Sequence, residues 1–230
     1  MNEGDHSPSR VVFLFDVDNT LLDNDRVAAD LQRHLASEVG AEGAQEYWRI
    51  FEQLRTELGY ADYLGALQKY RSKHSRVPHL LCVSDFLINY PFAERVFPDA
   101  VKVIEHVQQW GPAVILSDGD VVFQPLKISR SGLSNAVSAR VLIYVHKEQE
   151  LDNVERCYPA EHYVLVDDKL RILAAVKKFW GSRVTTVFVR QGHYATDRKI
   201  LASYPPADIS IGRIGDLLQY QLQEFLKSKP

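Results

Sequence analysis

Cysteine is scarce: Cys82 and Cys157 are the two thiols in 230 residues, and they share no metal-ligand spacing. That excludes a cysteine-built metal site and points to a reduced intracellular protein with buried or incidental thiols, a disulfide being the lesser option. A strong charge of either sign is absent too. The formal net charge of -3 and a pI near 6.2 exert no overall pull on nucleic acid or an anionic membrane, so any phosphate binding must be local. No apolar run is long enough to span a bilayer, and Met1 to Arg10 lacks the basic start and apolar centre of a signal peptide. A cytoplasmic protein is therefore expected. Internal repeats and low-complexity tracts are missing as well, which sets solenoids and biased linkers aside.

What is present is a hydrophobic content of 46%, enough over this length for one large domain or a domain with an insert. The most telling stretch is Val11-Val12-Phe13-Leu14-Phe15, followed at once by Asp16-Val17-Asp18-Asn19-Thr20. The run is β-branched and aromatic without polar alternation, so it reads as a central parallel strand covered on both faces. Asp16 and Asp18 then fall at the strand's carboxyl end, the edge where open α/β sheets bind ligands. Carboxylates there suit a hard cation such as Mg²⁺, and an Asp can attack phosphorus covalently.

The next clear buried strand is Ala113 to Leu116, and the sequence between is helical in character. Apolar residues recur at helical spacing over Asp25 to Val39, Gln45 to Leu58 and Asp62 to Lys73, punctuated by Gly40, Gly43 and Gly59. A short helix follows over Ser84 to Tyr90, and another runs from Phe97-Pro98-Asp99 to Trp110, stopped by Gly111-Pro112. Beyond it strands at Ala113–Leu116, Arg140–Val145, Tyr163–Val166, Val184–Val189 and Asp208–Ile211 alternate with helices at Phe123–Ser131, Gln149–Cys157, Leu170–Trp180 and Gly215–Lys227. This rhythm predicts an α/β fold with a doubly wound parallel sheet and an inserted helical segment.

Three further strand ends carry polar groups toward the edge occupied by Asp16 and Asp18: Ser117-Asp118-Gly119, His146-Lys147 and Asp167-Asp168. The order of these four elements resembles the haloacid dehalogenase superfamily in its phosphatase branch. Asp16-Val17-Asp18-Asn19-Thr20 matches the D-x-D-x-T first motif, Ser117 the second, Lys147 the third, and Asp167-Asp168 the acidic fourth. The insert is similar to the family's type 1 helical cap. On this resemblance residues 1–21 and 98–230 form a Rossmann-like core and 22–97 a cap.

The resemblance implies a Mg²⁺-dependent phosphohydrolase of a small phosphorylated metabolite. Asp16 would be the nucleophile and Asp18 the acid and base. Asp16, the carbonyl of Asp18, Asp167 and Asp168 would hold the metal, with Asp168 favoured as the direct ligand. Thr20, Ser117, Asp118, Gly119 and Lys147 would bind the phosphoryl oxygens. Lys147 lacks the proline that often follows the family's lysine, so Lys127 and Lys169 stand as alternatives. Asp118 and Asp120 add negative charge beside that site, either pointing away or tuning substrate preference. Asp18 favours phosphoryl transfer over carbon–halogen hydrolysis, the leading alternative. A receiver-like phospho-acceptor module uses similar strand-end groups but does not carry the long insert. Asp167-Asp168 would equally cap the next helix. The cap aromatics Tyr47, Trp48, Phe51, Tyr60, Tyr63 and Tyr70 read as packing residues. Of the cap cations Arg49, Arg55, Arg71, Lys73 and Arg76, one or two would reach an anionic substrate. His162 and His193 receive no role, no nucleic-acid or membrane partner is expected, and monomer and homodimer both remain open.

Overall fold

A computed structural model describes residues 9–74 and 79–226. Arg76, Lys227 and most of the polar N-terminal stretch lie outside these described residues. Strands β1 (Ser9–Phe15), β2 (Ala113–Asp118), β3 (Val141–Tyr144), β4 (Ala160–Asp167), β5 (Val184–Val189) and β6 (Ile209–Ile211) form one parallel sheet in the order β3-β2-β1-β4-β5-β6. The order reverses between β1 and β4, so the carboxyl ends of these two strands flank the switch point where such sheets open a crevice.

The continuous apolar run of β1 follows from its position between β2 and β4. Val11, Phe13 and Phe15 enter one hydrophobic cluster, whereas Val12 and Leu14 enter the other on the opposite face. The period of two divides β2 and β4 in the same way: Ala113, Ile115, Val164 and Val166 face the first cluster, and Val114, Leu116, Tyr163 and Leu165 the second.

Between β1 and β2 lie α1 (Asn24–Leu58), α2 (Tyr63–Lys73), α3 (Leu80–Asn89) and α4 (Ala100–Gln108). Asp23 caps α1 by accepting a hydrogen bond from the Arg26 amide at 2.9 Å. The two helices expected over Asp25–Leu58 are continuous except at Gly40, whose φ of 75° and ψ of 170° break the ladder. Gly43 is helical instead; a Cβ there would lie 2.7 Å from Tyr70 Oη, so its role is close helix approach. Gly59, with φ 83°, ends α1 in the left-handed conformation and packs against His146. Tyr47, Phe51, Tyr63 and Tyr70 are buried as expected of packing residues.

After β2 come α5 (Phe123–Arg130), α6 (Leu133–Ala136), α7 (Leu151–Cys157), α8 (Leu170–Trp180), α9 (Arg198–Ser203) and α10 (Leu222–Phe225). The sequence pattern does not signal α9. The single helix expected over Gly215–Lys227 is instead a 3₁₀ segment (Ile214–Gln219) and the short α10, separated by extended backbone at Tyr220 and Gln221. Tertiary packing overrides the helical period here. The break turns Phe225 edge-on to Phe13 at 5.4 Å, and its carbonyl accepts from Thr185 Oγ1 at 2.5 Å. Cys82 and Cys157 are free and exposed rather than buried. Among the described residues no helix is long and apolar enough to cross a membrane.

Candidate active site

The Asp16 amide donates to the Val166 carbonyl at 3.0 Å, fixing the residue after β1 against β4. Asn19 then adopts a left-handed φ of 62°, and the amides of Thr20, Leu21 and Leu22 all converge on the Val17 carbonyl. Asparagine tolerates that conformation better than most residues. This tight turn places Asp16 at the sheet edge and Asp18 one step outside it.

Lys147 is fully buried. Its Nζ donates to Asp16 Oδ1 at 2.5 Å and to the Leu116 carbonyl at 3.2 Å, and lies 2.7 Å from Asp167 Oδ2. Lys147 is thus the lysine that bridges Asp16 and Asp167, while Lys127 pairs with Asp18 and the buried Lys169 lies among the same acids. Ligand oxygens of Asp16, Asp167 and Asp168 lie within 4.8 Å of one another. Asp16 Oδ2 and both carboxylate oxygens of Asp168 are buried without a hydrogen-bond partner among the described residues. A compact set of buried carboxylate oxygens with free lone pairs fits a hard divalent cation. Asp18 does not join it through its carboxylate, which turns toward Lys127.

The electrostatics follow from three acids and two lysines in a dry corner. Burial pushes the Asp16 carboxyl up, but Lys147 and Lys169 outweigh it and hold the group below the usual carboxylate range. Burial dominates at Asp167, which is pushed up to about 6 against the pull of Lys147, and at Asp168, which is held well above the usual carboxylate range with Lys169 opposing. At Lys147 the carboxylates of Asp16, Asp167 and Asp118 overcome burial and hold the ammonium above its ordinary value. The nucleophile candidate is thus kept ionised while its neighbours carry the strain of like charge.

The remaining expected residues divide. Ser117 is buried, with Oγ accepting from Gln124 Nε2 at 2.9 Å. Thr20 is buried, with Oγ1 unpartnered among the described residues. Gly119 departs from its expected role: its amide is spent on the Tyr144 carbonyl at 3.0 Å. A Cβ there would sit 2.6 Å from Gln124 Cβ, so the glycine admits the residue that orients Ser117. The Asp118 carboxylate accepts from the Lys147 amide at 2.8 Å, so its side chain positions the lysine's backbone. Asp120 points away from the site, its Oδ1 accepting from the amides of Val122 and Phe123 at 2.8 and 2.6 Å.

Lys127, almost completely buried, donates to Asp18 Oδ1 at 2.7 Å and to Asn24 Oδ1 at 3.0 Å. It lies 5.6 Å from the centroid of the Phe123 ring, one helical turn earlier in α5. That spacing was the available signal. A cavity of about 780 Å³ opens beside these groups. Asp18, Asp118, Lys127 and Lys169 line it from the core, and Trp48, Phe51, Arg55, Tyr60 and Tyr63 from the helical insert. Arg55 is the expected cap cation that reaches it, paired there with Glu52 at 2.9 Å. His193 also lines the cavity, and nothing in its sequence neighbourhood signals this.

No protein-family model and no curated protein matches the chain. A solved structure assigned as a haloacid dehalogenase-like hydrolase, from Burkholderia xenovorans LB400, is 64% identical, with a TM-score of 0.90 over 93% of this chain and 100% of that one. L-2-haloacid dehalogenase from Xanthobacter autotrophicus, with chloropropionic acid covalently bound, shares 18% identity at a TM-score of 0.60, covering 92% of this chain and 97% of that one. YfnB from Bacillus subtilis, assigned as a HAD-hydrolase and bound to magnesium, shares 17% at 0.58 with the same coverage. The last two bear on the fold alone. Sheet order, the strand-edge acids and the high identity to the Burkholderia protein together make this chain a member of the haloacid dehalogenase-like hydrolases.

Proposed function

We propose that the protein is a Mg²⁺-dependent phosphohydrolase of a small phosphorylated metabolite, working through an aspartyl-phosphate on Asp16. The observation that carries this reading is Asp16 itself: one oxygen is held by Lys147, the other is unpartnered, and Asp18 stands two residues away on the cavity wall. Asp16 attacks phosphorus, the bond from phosphorus to the leaving oxygen breaks, and Asp18 gives that oxygen its proton. Asp18 then takes a proton from water as the water attacks the same phosphorus, freeing inorganic phosphate and Asp16. Lys147 offsets negative charge at the nucleophile, and the Ser117 hydroxyl, oriented by Gln124, donates to a phosphoryl oxygen.

Asp16, Asp167, Asp168 and the Asp18 carbonyl would hold Mg²⁺, which supplies Lewis-acid neutralisation of phosphoryl charge. Residues 22–97 would act as the cap that excludes water and sets substrate choice. The free thiols and modest net charge suit a cytoplasmic enzyme with neither nucleic-acid nor membrane partner.

Carbon–halogen hydrolysis is the second reading. It needs no leaving-group acid, and the engagement of Asp18 by Lys127 at 2.7 Å is the observation that favours it. Release of phosphate from sugar phosphates, nucleotides, phosphoglycolate and p-nitrophenyl phosphate separates the two, with chloride release from 2-chloropropionate measured in parallel. The proposal expects phosphate release that requires Mg²⁺, stops in EDTA and is abolished in a folded Asp16→Asn variant. Chloride release without phosphate release, or near-normal phosphate release by that variant, would contradict it.

A further inference from the structure

We propose that His193, oriented by Asp25, is a substrate-contacting residue that accepts a hydrogen bond from a hydroxyl of the leaving group. This rests on the phosphohydrolase reading and narrows it to hydroxylated phosphate esters, of which sugar and polyol phosphates are the simplest. It also assigns part of the specificity to the core segment after β5, outside the helical insert.

The segment is built against the nucleophile loop residue by residue. Gln191 Nε2 donates to the carbonyls of Asn19 and Thr20 at 3.3 and 3.2 Å, and its Oε1 accepts from the Ile214 amide at 2.5 Å. Gly192, at φ 71°, lies so close to Asn19 that a Cβ would come 2.5 Å from the Asn19 Cβ. Only a residue without a side chain passes there. His193 then meets Asp25 twice, through its amide to Oδ2 at 2.8 Å and through Nδ1 to Oδ1 at 2.6 Å. Asp25 is fixed in turn by Asn19, whose Nδ2 donates to Oδ1 at 3.0 Å and whose Oδ1 accepts from the Asp25 amide at 3.1 Å. Main chain and ring of His193 are thus both tied to Asp25, and through it to Asn19, the residue adjoining Asp18.

That geometry decides the chemistry of the ring. Burial pushes Asp25 up, but the hydrogen bonds from His193 and Asn19 hold it below the ordinary carboxylate range, so it is an acceptor only. Nδ1 must therefore carry the proton given to Asp25. In the neutral ring Nε2 is left as an acceptor, and it has no hydrogen-bond partner among the described residues. The imidazole rests on Tyr194, with ring centroids 3.9 Å apart, and Lys169 Nζ lies 5.6 Å from the centroid of the same tyrosine. Asp18, Lys169, His193 and Tyr194 line one cavity. A group leaving toward Asp18 enters the cavity that His193 lines.

The test compares kcat and KM for a panel of sugar phosphates and for p-nitrophenyl phosphate, whose leaving group presents no aliphatic hydroxyl. The enzymes are wild type, His193→Ala, His193→Gln and Asp25→Asn, each checked for native thermal unfolding. Loss of one hydrogen bond to substrate should lower kcat/KM of His193→Ala on the best sugar phosphate by roughly tenfold, with less than about twofold change on p-nitrophenyl phosphate. His193→Gln, which keeps an acceptor at similar reach, should recover part of the loss, and Asp25→Asn should resemble His193→Ala. Equal losses on both substrate types, or no loss on the sugar phosphate, would overturn the assignment of His193 alone. Wild-type turnover of p-nitrophenyl phosphate but of no sugar phosphate would also overturn it while leaving the phosphohydrolase intact. Failure of wild type on every phosphate ester would overturn the phosphohydrolase itself.

Discussion

Replacing Lys147 by Met removes the ammonium while keeping an unbranched side chain of similar length. Two carboxylates then lose their partner in a dry site: Asp16, 2.5 Å from Nζ, and Asp167, 2.7 Å from it. Breaking a buried ion pair by removing one partner costs about 3–5 kcal/mol, a large part of the roughly 5–15 kcal/mol that holds a typical domain. For a urea slope near 2.5 kcal/mol/M this lowers the unfolding midpoint by about 1–2 M. The variant can relieve the strain by protonating Asp16 and Asp167, whose folded-state values then lie above the unfolded ones. Asp167 is at about 6 even with Lys147 present. For carboxylates raised in this way stability is fully present below the unfolded value and is lost as pH rises through the folded value. The deficit of Lys147→Met relative to wild type, measured by urea unfolding in EDTA, should therefore be smallest at about pH 4, close to the ordinary carboxylate value, and full at pH 8. Protonation disables the nucleophile, so turnover near neutral pH should fall by more than about a hundredfold. A deficit below about 1 kcal/mol at pH 8, or one equal at both pH values, would refute the argument that Lys147 compensates these acids.

Lys127→Met should leave the fold cooperative, because Asp18 retains some solvent access, while kcat falls about tenfold or more with little change in KM, since the acid loses its anchor to Asn24. Stopped assays at saturating substrate check this. Asp208 accepts from Lys177 Nζ, the Thr186 amide and Thr186 Oγ1, at 2.8, 2.9 and 2.9 Å. These bonds outweigh burial and hold its carboxyl below the ordinary range. A depressed carboxyl gives stability above its unfolded value that disappears as pH falls through its folded value. Asp208→Ala should cost about 2–4 kcal/mol in urea unfolding at pH 7, with the difference shrinking below about pH 4.

The sheet was legible because β1, β2 and β4 are buried on both faces, and a continuous apolar run that ends abruptly in acids fits a central strand far better than a helix or an exposed strand. Leu170–Trp180 and Val184–Val189 match their expected bounds for the same reason: period and stop signals agree with packing. Where they disagree, packing wins, as at Tyr220, where the turn that delivers Phe225 to Phe13 breaks a helical pattern. In the site, Asp16, Asp167, Asp168 and Lys147 converge as strand-end residues must. Gly119 and Asp118 carry backbone and positioning roles that no local pattern encodes, because their partners, Tyr144 and Lys147, are distant in sequence. His193 was invisible for the same reason, its partner Asp25 lying 168 positions away.

The most direct measurement of the central claim is turnover of the best phosphate ester in water labelled with oxygen-18, with mass analysis of the phosphate and of the peptide carrying Asp16. Attack of water on the phosphorus of an aspartyl-phosphate places the label in inorganic phosphate and leaves the Asp16 carboxyl unlabelled. Label accumulating in the Asp16 carboxyl would mean that water attacks the carbonyl carbon of an ester at Asp16, and would contradict phosphoryl transfer as its chemistry.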